Sequence, residues 1–164
     1  MSLIVEDGSI VAGAESYVSV TDADTYHSNR GNSAWTGTTA VKEGALRKAT
    51  DYMLQQYRDR WQGLRVSHSQ ALDWPRSWAV VDGYAVSASI VPTEVKNACA
   101  EYALRALADD LLADQSQLVV RKKVGPLEVE YDRNAQQAKK YPAITGMLSP
   151  YFGIAPGMVR AVRA

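Results

Sequence analysis

Basic charge is in no excess in this chain: 18 lysines and arginines face 18 aspartates and glutamates, for a formal net charge of zero. Nonspecific nucleic-acid binders usually carry a basic surplus that releases counterions from phosphates. The balance therefore counts against tight binding to free DNA unless charge gathers in a local patch. There is one cysteine, Cys99, which excludes an intramolecular disulfide and reads as a small buried core residue. No apolar run approaches the ~18 residues needed to cross a bilayer. The opening residues MSLIVEDGSI lack the basic start and long apolar stretch of a secretory signal. A soluble protein made in a cytoplasm, with no membrane partner, is the expectation.

Catalytic and metal patterns are missing too. His27 and His68 fall on different elements, without the carboxylate or cysteine spacing of a metal site, and read as surface or edge histidines. Asp109 and Asp110 are adjacent on a helical pattern, so they point about 100° apart and form no close acid–base pair. No Gly-x-Ser-x-Gly elbow or glycine-rich phosphate loop occurs. An enzyme is not expected, nor a cofactor or metal.

What is present predicts a mainly α protein: a small bundle of three to four helices with a projecting β-hairpin and an extended C-terminal tail. The division expected is a domain over 1–153 and a tail over 154–164. Leu3 to Val11 reads as a short hairpin around an Asp7-Gly8 turn. A first helix should start near Thr21, with Asp22 and Asp24 in its first turn, and stop at Gly31. Trp35 should be pinned in the loop that follows. Leu46, Ala49, Met53, Tyr57 and Trp61 form one stripe, which predicts a helix from Thr39 to Trp61. Leu64 to Ile90 has no helical period and reads as an ordered loop with short extended pieces and an Asp82-Gly83 turn. Pro92 should open a central, alanine-rich helix running to about Ala113, and a short helix should span Pro142 to Leu148.

Between these last helices, the basic run Arg121, Lys122, Lys123 leads into Val124-Gly125-Pro126-Leu127-Glu128-Val129-Glu130-Tyr131. Leu127, Val129 and Tyr131 alternate with glutamates, the pattern of a hairpin at about 118–132. A small helical chain has little use for such a ribbon in its own core, so contact with a neighbouring subunit is expected. The basic run reads as a solvated strand edge, or as a contact with an acidic neighbour or passing DNA. In the tail, Ile154, Met158, Val159 and Val162 interleave with Arg160 and Arg163. This reads as a docking peptide for a groove on a partner, against the alternative of a frayed terminus.

The aromatic inventory is skewed: four tryptophans and nine tyrosines stand against one phenylalanine. Trp74, Arg76 and Trp78 belong to a stretch from Tyr57 where aromatics alternate with arginines. Structural packing and subunit contact is the leading reading of that stretch. Base stacking with phosphate contact is the other.

Several of these segments, in this order, resemble a family found in tailed bacteriophages. They are Ser16-Tyr17-Val18-Ser19, Arg30-Gly31-Asn32 with Trp35, Ala49-Thr50-Asp51-Tyr52, Gln70-Ala71-Leu72-Asp73-Trp74-Pro75-Arg76, the Pro92-led helix and Val124 to Tyr131. The resemblance spans roughly Leu3 to Phe152. The family is labelled DnaT-like single-stranded-DNA-binding, and it is also similar to the head–tail connector (adaptor) proteins of phages. The connector resemblance implies a structural virion protein, located at the head–tail neck. It implies a homo-oligomeric ring, a dodecamer, beneath the portal protein, meeting a downstream tail or neck protein. Double-stranded DNA would pass through without sequence specificity. On that reading Ile154 to Ala164 docks on the portal, and Val119 to Tyr131 reaches an adjacent subunit or the lumen. The alternative is a replication accessory that binds single-stranded DNA.

Overall fold

The structure, a computed structural model, describes residues 2–111, 119–123, 128–131 and 139–153, the strands within 119–131 by their backbone. The chain divides into two units, Met1–Leu111 with Pro142–Ala164, and Leu112–Tyr141. The first is helical and the second carries a two-stranded ribbon, so the mainly α architecture is as the sequence predicts.

Helix α1 (Val20–Asn29) starts where the Ser19 hydroxyl accepts from Asp22 N–H at 3.0 Å and donates to the Asp22 carboxylate at 2.7 Å. That side-chain pair satisfies donors the first turn leaves open. Gly31, at φ +65°, ends it. Helix α2 (Thr39–Tyr57) buries Leu46, Ala49, Met53 and Tyr57, the stripe seen in the sequence. It stops at Tyr57 rather than Trp61, because the next residues pair elsewhere. Trp61 bridges Phe152, Gln62 N–H donates to Tyr151 O at 2.9 Å, and Gly153 N–H donates to Arg60 O at 2.7 Å.

Helix α3 (Thr93–Ala108) buries Val95, Ala98, Cys99, Tyr102 and Ala103 and forms the centre of the bundle. It ends before the predicted Ala113. Asp109 is extended, and its carboxylate takes the Asp110 N–H at 2.8 Å. An aspartate at a helix C-terminus opposes the helix dipole, and its side chain competes for the backbone. Helix α4 (Pro142–Leu148) and a 3₁₀ turn, Ser149–Tyr151, return to the bundle. α2 packs chiefly on α3, and α1 and α4 also lie on α3. The Tyr57 hydroxyl bonds the Tyr102 hydroxyl and Thr145 Oγ1, joining α2, α3 and α4 through one polar node inside the core.

The N-terminal segment departs from the expected hairpin. Val5 bridges Ser16 in parallel, and the buried Glu6 carboxylate accepts N–H groups from Gly8, Ile10 and Val11 at 2.8–3.0 Å. A carboxylate that gathers three backbone donors organises the loop where a strand pair was expected.

In the second unit, β5 (Val119–Lys123) pairs antiparallel with β6 (Glu128–Tyr131). The predicted ribbon is thus present, and its Gly125-Pro126 corner lies outside the described residues. Its register sets Arg121 across from Glu130 and Lys123 across from Glu128.

Candidate functional site

Between α2 and α3, the non-helical stretch folds into two small hairpins. β1 (Leu64–Arg65) pairs with β2 (Arg76–Ser77), and β3 (Val80–Val81) pairs with β4 (Tyr84–Ala85). Asp82 and Gly83 both have positive φ, 52° and 86°, the pattern of a type I′ turn. Gly63 permits the first hairpin to close: a Cβ there would lie 2.0 Å from Ser77 O.

The underside of these hairpins is a packed scaffold. Trp74 is fully buried, edge-on to Trp61 at 5.7 Å and to Tyr151 at 5.5 Å between ring centres, and the Trp74–Pro75 peptide is cis. The Arg76 guanidinium, also buried, is consumed by backbone carbonyls: Gln62 O at 2.7 Å, Gly63 O at 2.8 Å and Asp73 O at 3.2 Å. Gln70 clamps the same turn, donating to Leu72 O and Pro75 O and accepting from Ser67 N–H. The segment Gln70 to Arg76 therefore builds a loop core. Trp74 and Arg76 are thus buried in packing, the leading reading of that stretch, and not open to a base or a phosphate while that core is intact.

Asp73 is the unusual member of the scaffold. Its side chain has no exposed surface, and neither carboxylate oxygen makes a hydrogen bond among the described residues. Arg58 Nε stands 3.5 Å from Oδ1. The Trp61 indole N–H is likewise buried without a hydrogen-bond partner among the described residues. Burial pushes the Asp73 pKa up, against the pull of Arg58, Arg76 and Arg65.

The outer side is of opposite character. Trp78 is 77% exposed at φ +62°, and Tyr84, just past the Asp82-Gly83 turn, is 79% exposed. Of the eight large apolar side chains exposed among the described residues, six lie here: Leu64, Val66, Trp78, Val80, Tyr84 and Ile90. Exposed apolar side chains are thus concentrated in this one stretch of the chain. A bulky residue held at positive φ is uncommon and strained, and such strain clusters at working sites. The Arg60 guanidinium lies 4.2 Å from the Phe152 ring centre. Gln62, two residues on, accepts from Val80 N–H and donates to Pro150 O and Phe152 O, fastening β3 to the 3₁₀ turn.

Other residues singled out by sequence fall elsewhere. His27 is buried rather than at an edge: its Nε2 meets Ala100 O at 3.1 Å, Nδ1 meets the Asn32 amide at 3.0 Å, and Trp35 stacks on it at 4.8 Å. Those partners define a neutral ring that donates from Nε2 and accepts at Nδ1. Trp35 is pinned as expected, donating to Asp24, which also holds Lys42 at 2.7 Å. Cys99 is buried against Thr50 and Ser16, and burial raises its thiol pKa. Arg121, Lys122 and Lys123 lie on β5, with Val129 and Tyr131 on β6. Those strands hold three basic and two acidic residues, so the ribbon is not a strongly basic track. Leu127, and the proposed docking residues Ile154, Met158, Val159, Arg160, Val162 and Arg163, lie outside the described residues. Among the described residues, no His, Cys, Asp and Glu side chains group as a metal site. No helix there is long and apolar enough to cross a membrane.

Tyr84 is the member sequence reasoning missed. Its signal was present: a tyrosine directly after an Asp-Gly turn sits at a hairpin tip, where no core can cover it.

A family model described as "Putative DnaT-like ssDNA binding protein" matches residues 1–164. No curated protein and no solved structure matches the chain. The match overturns the expectation of a head–tail adaptor ringed beneath a portal, because the family it identifies is described by binding to single-stranded DNA. With all 164 residues inside the match, the chain belongs to the family described as "Putative DnaT-like ssDNA binding protein".

Proposed function

We propose that this protein binds single-stranded DNA without marked sequence preference, through the outer side of the two hairpins at 64–90. The observation that carries the reading is the joint exposure of Trp78 and Tyr84 on a rigid scaffold. Every base offers a π-face, and stacking on an aromatic side chain contributes ~1–3 kcal/mol per base whatever the sequence. Leu64 and Val66 add exposed apolar side chains in the same stretch, and Arg60 supplies a positive charge close to it in the chain. The zero net charge is compatible with this, since stacking rather than bulk attraction supplies much of the affinity.

Anisotropy of a labelled oligothymidylate, titrated at several salt concentrations, tests the proposal. Binding should weaken as salt rises, with a slope of about −0.7 per phosphate contacted. Trp78→Ala and Tyr84→Ala should each reduce affinity roughly tenfold. Flat anisotropy at low salt, or full affinity in the Trp78→Ala/Tyr84→Ala double variant, would remove the reading.

A further inference from the structure

A buried carboxylate without hydrogen bonds destabilises a fold, and native structures rarely keep one without a reason. Asp73 is such a group, and the Trp61 indole N–H and Arg65 Nε, which also act on it, are likewise buried without a hydrogen-bond partner among the described residues. Arg76 is spent on three carbonyls, Arg65 Nη2 donates to Gln70 O, and the Tyr17 hydroxyl accepts from the Asp73 N–H. The ion pair of Asp73 is with Arg58, whose Nε approaches Oδ1 at 3.5 Å while its side chain is 54% exposed. Arg58 caps the end of α2, two residues before Arg60, on the segment that leads into β1. Among the described residues nothing accepts from its two terminal nitrogens. A guanidinium held by one edge, with the opposite edge open to solvent, presents the fork that fits a phosphate.

We propose that Arg58 contacts a backbone phosphate of the bound strand and that Asp73 is its positioning residue, holding the guanidinium from below. The proposal rests on the single-stranded-DNA reading. It goes further by naming the phosphate contact and the group that orients it.

The full-length chain and a labelled oligothymidylate test it by anisotropy. Failure of the wild type to bind refutes the functional reading itself, independently of Asp73. Given wild-type binding, Arg58→Gln should weaken affinity about tenfold and make the salt slope shallower by about 0.7, one phosphate contact. Asp73→Asn should weaken binding severalfold even though it removes a negative charge that would repel DNA. The Arg58→Gln/Asp73→Asn double variant should bind no more weakly than Arg58→Gln alone. Wild-type affinity and slope in Arg58→Gln overturn the phosphate contact, and losses that simply add overturn the positioning role. Should Asp73→Asn not fold, Arg58→Lys takes its place. A lysine keeps the charge but loses the fork, so its slope should stay near wild type while affinity drops, and unchanged affinity refutes positioning.

Discussion

Asp73 and His27 are both buried titratable groups, and they give stability opposite dependences on pH. Burial raises the Asp73 pKa, so the folded state takes up a proton more readily than the unfolded chain. Its ionised form therefore costs stability at neutral pH. That cost is relieved as pH falls through the raised value toward the ordinary ~3.9. Asp73→Asn should accordingly raise the melting temperature at pH 7 by a few degrees, with the advantage fading as pH falls through that window. Thermal melts of both proteins across pH check this. A lower melting temperature for the variant at pH 7 would mean that the carboxylate's attraction for Arg76 outweighs its desolvation. For His27, burial lowers the pKa, and the neutral ring bonds Ala100 O. Its contribution is complete above the unfolded value of ~6.5 and is lost as pH falls through the depressed folded value. His27→Gln should flatten that part of the wild-type profile.

Trp78 also offers a direct optical test at this scale. Trp35, Trp61 and Trp74 are buried, so the solvent-exposed part of the indole emission belongs to Trp78. An oligonucleotide should quench that emission, and Trp78→Phe should abolish the response while leaving the buried signal. Quenching that persists in the variant would place the bases elsewhere.

At the scale of elements, the hairpins at 64–90 depend on backbone contacts more than on strand propensity, since each strand is two residues long. Two-residue strands do not hold themselves. They are held by Gln62, by Arg76 on three carbonyls, and by the close passage of Gly63 against Ser77. Gly63→Ala combines positive φ with a Cβ 2.0 Å from Ser77 O. It should cost about 2–3 kcal/mol, read by chemical denaturation. It should also weaken oligonucleotide binding by moving β2, and with it Trp78. Unchanged stability would mean that the loop relaxes freely, which a scaffold of this kind does not allow. The same logic explains why α2 stops at Tyr57: pairing with Phe152 and Tyr151 outweighs one more helical turn.

At the scale of the molecule, α4 and the 3₁₀ turn follow the second unit in sequence, yet they complete the first. Ile144, Leu148 and Tyr151 are buried, Tyr151 donates to Glu94 at 2.6 Å, and Tyr57, Trp61 and Phe152 stack in one aromatic cluster. A chain ending at Tyr141 should expose Trp61 and Trp74 and lose cooperative unfolding, seen as a broad, shallow denaturation curve with red-shifted tryptophan emission. A sharp transition in that truncated chain would show the aromatic cluster to be dispensable.

Four helices were legible because 3.6-residue apolar spacing, first-turn acids and breakers are local properties: Asp22 and Asp24, Gly31, Pro92 and the stripe through Met53 needed no tertiary knowledge. The Asp82-Gly83 turn and the β5–β6 ribbon were legible for the same reason. Which aromatics are wet was not. Trp74 and Trp78 lie four residues apart in one arginine-rich segment, and composition treats them alike. Only the fold sends one beneath the hairpins and the other outward, because burial depends on what returns from distant sequence. Glu6 and Asp73 make the same point for charge. Whether a carboxylate gathers backbone donors or is left buried without a hydrogen bond is decided by long-range packing, which no local spacing encodes.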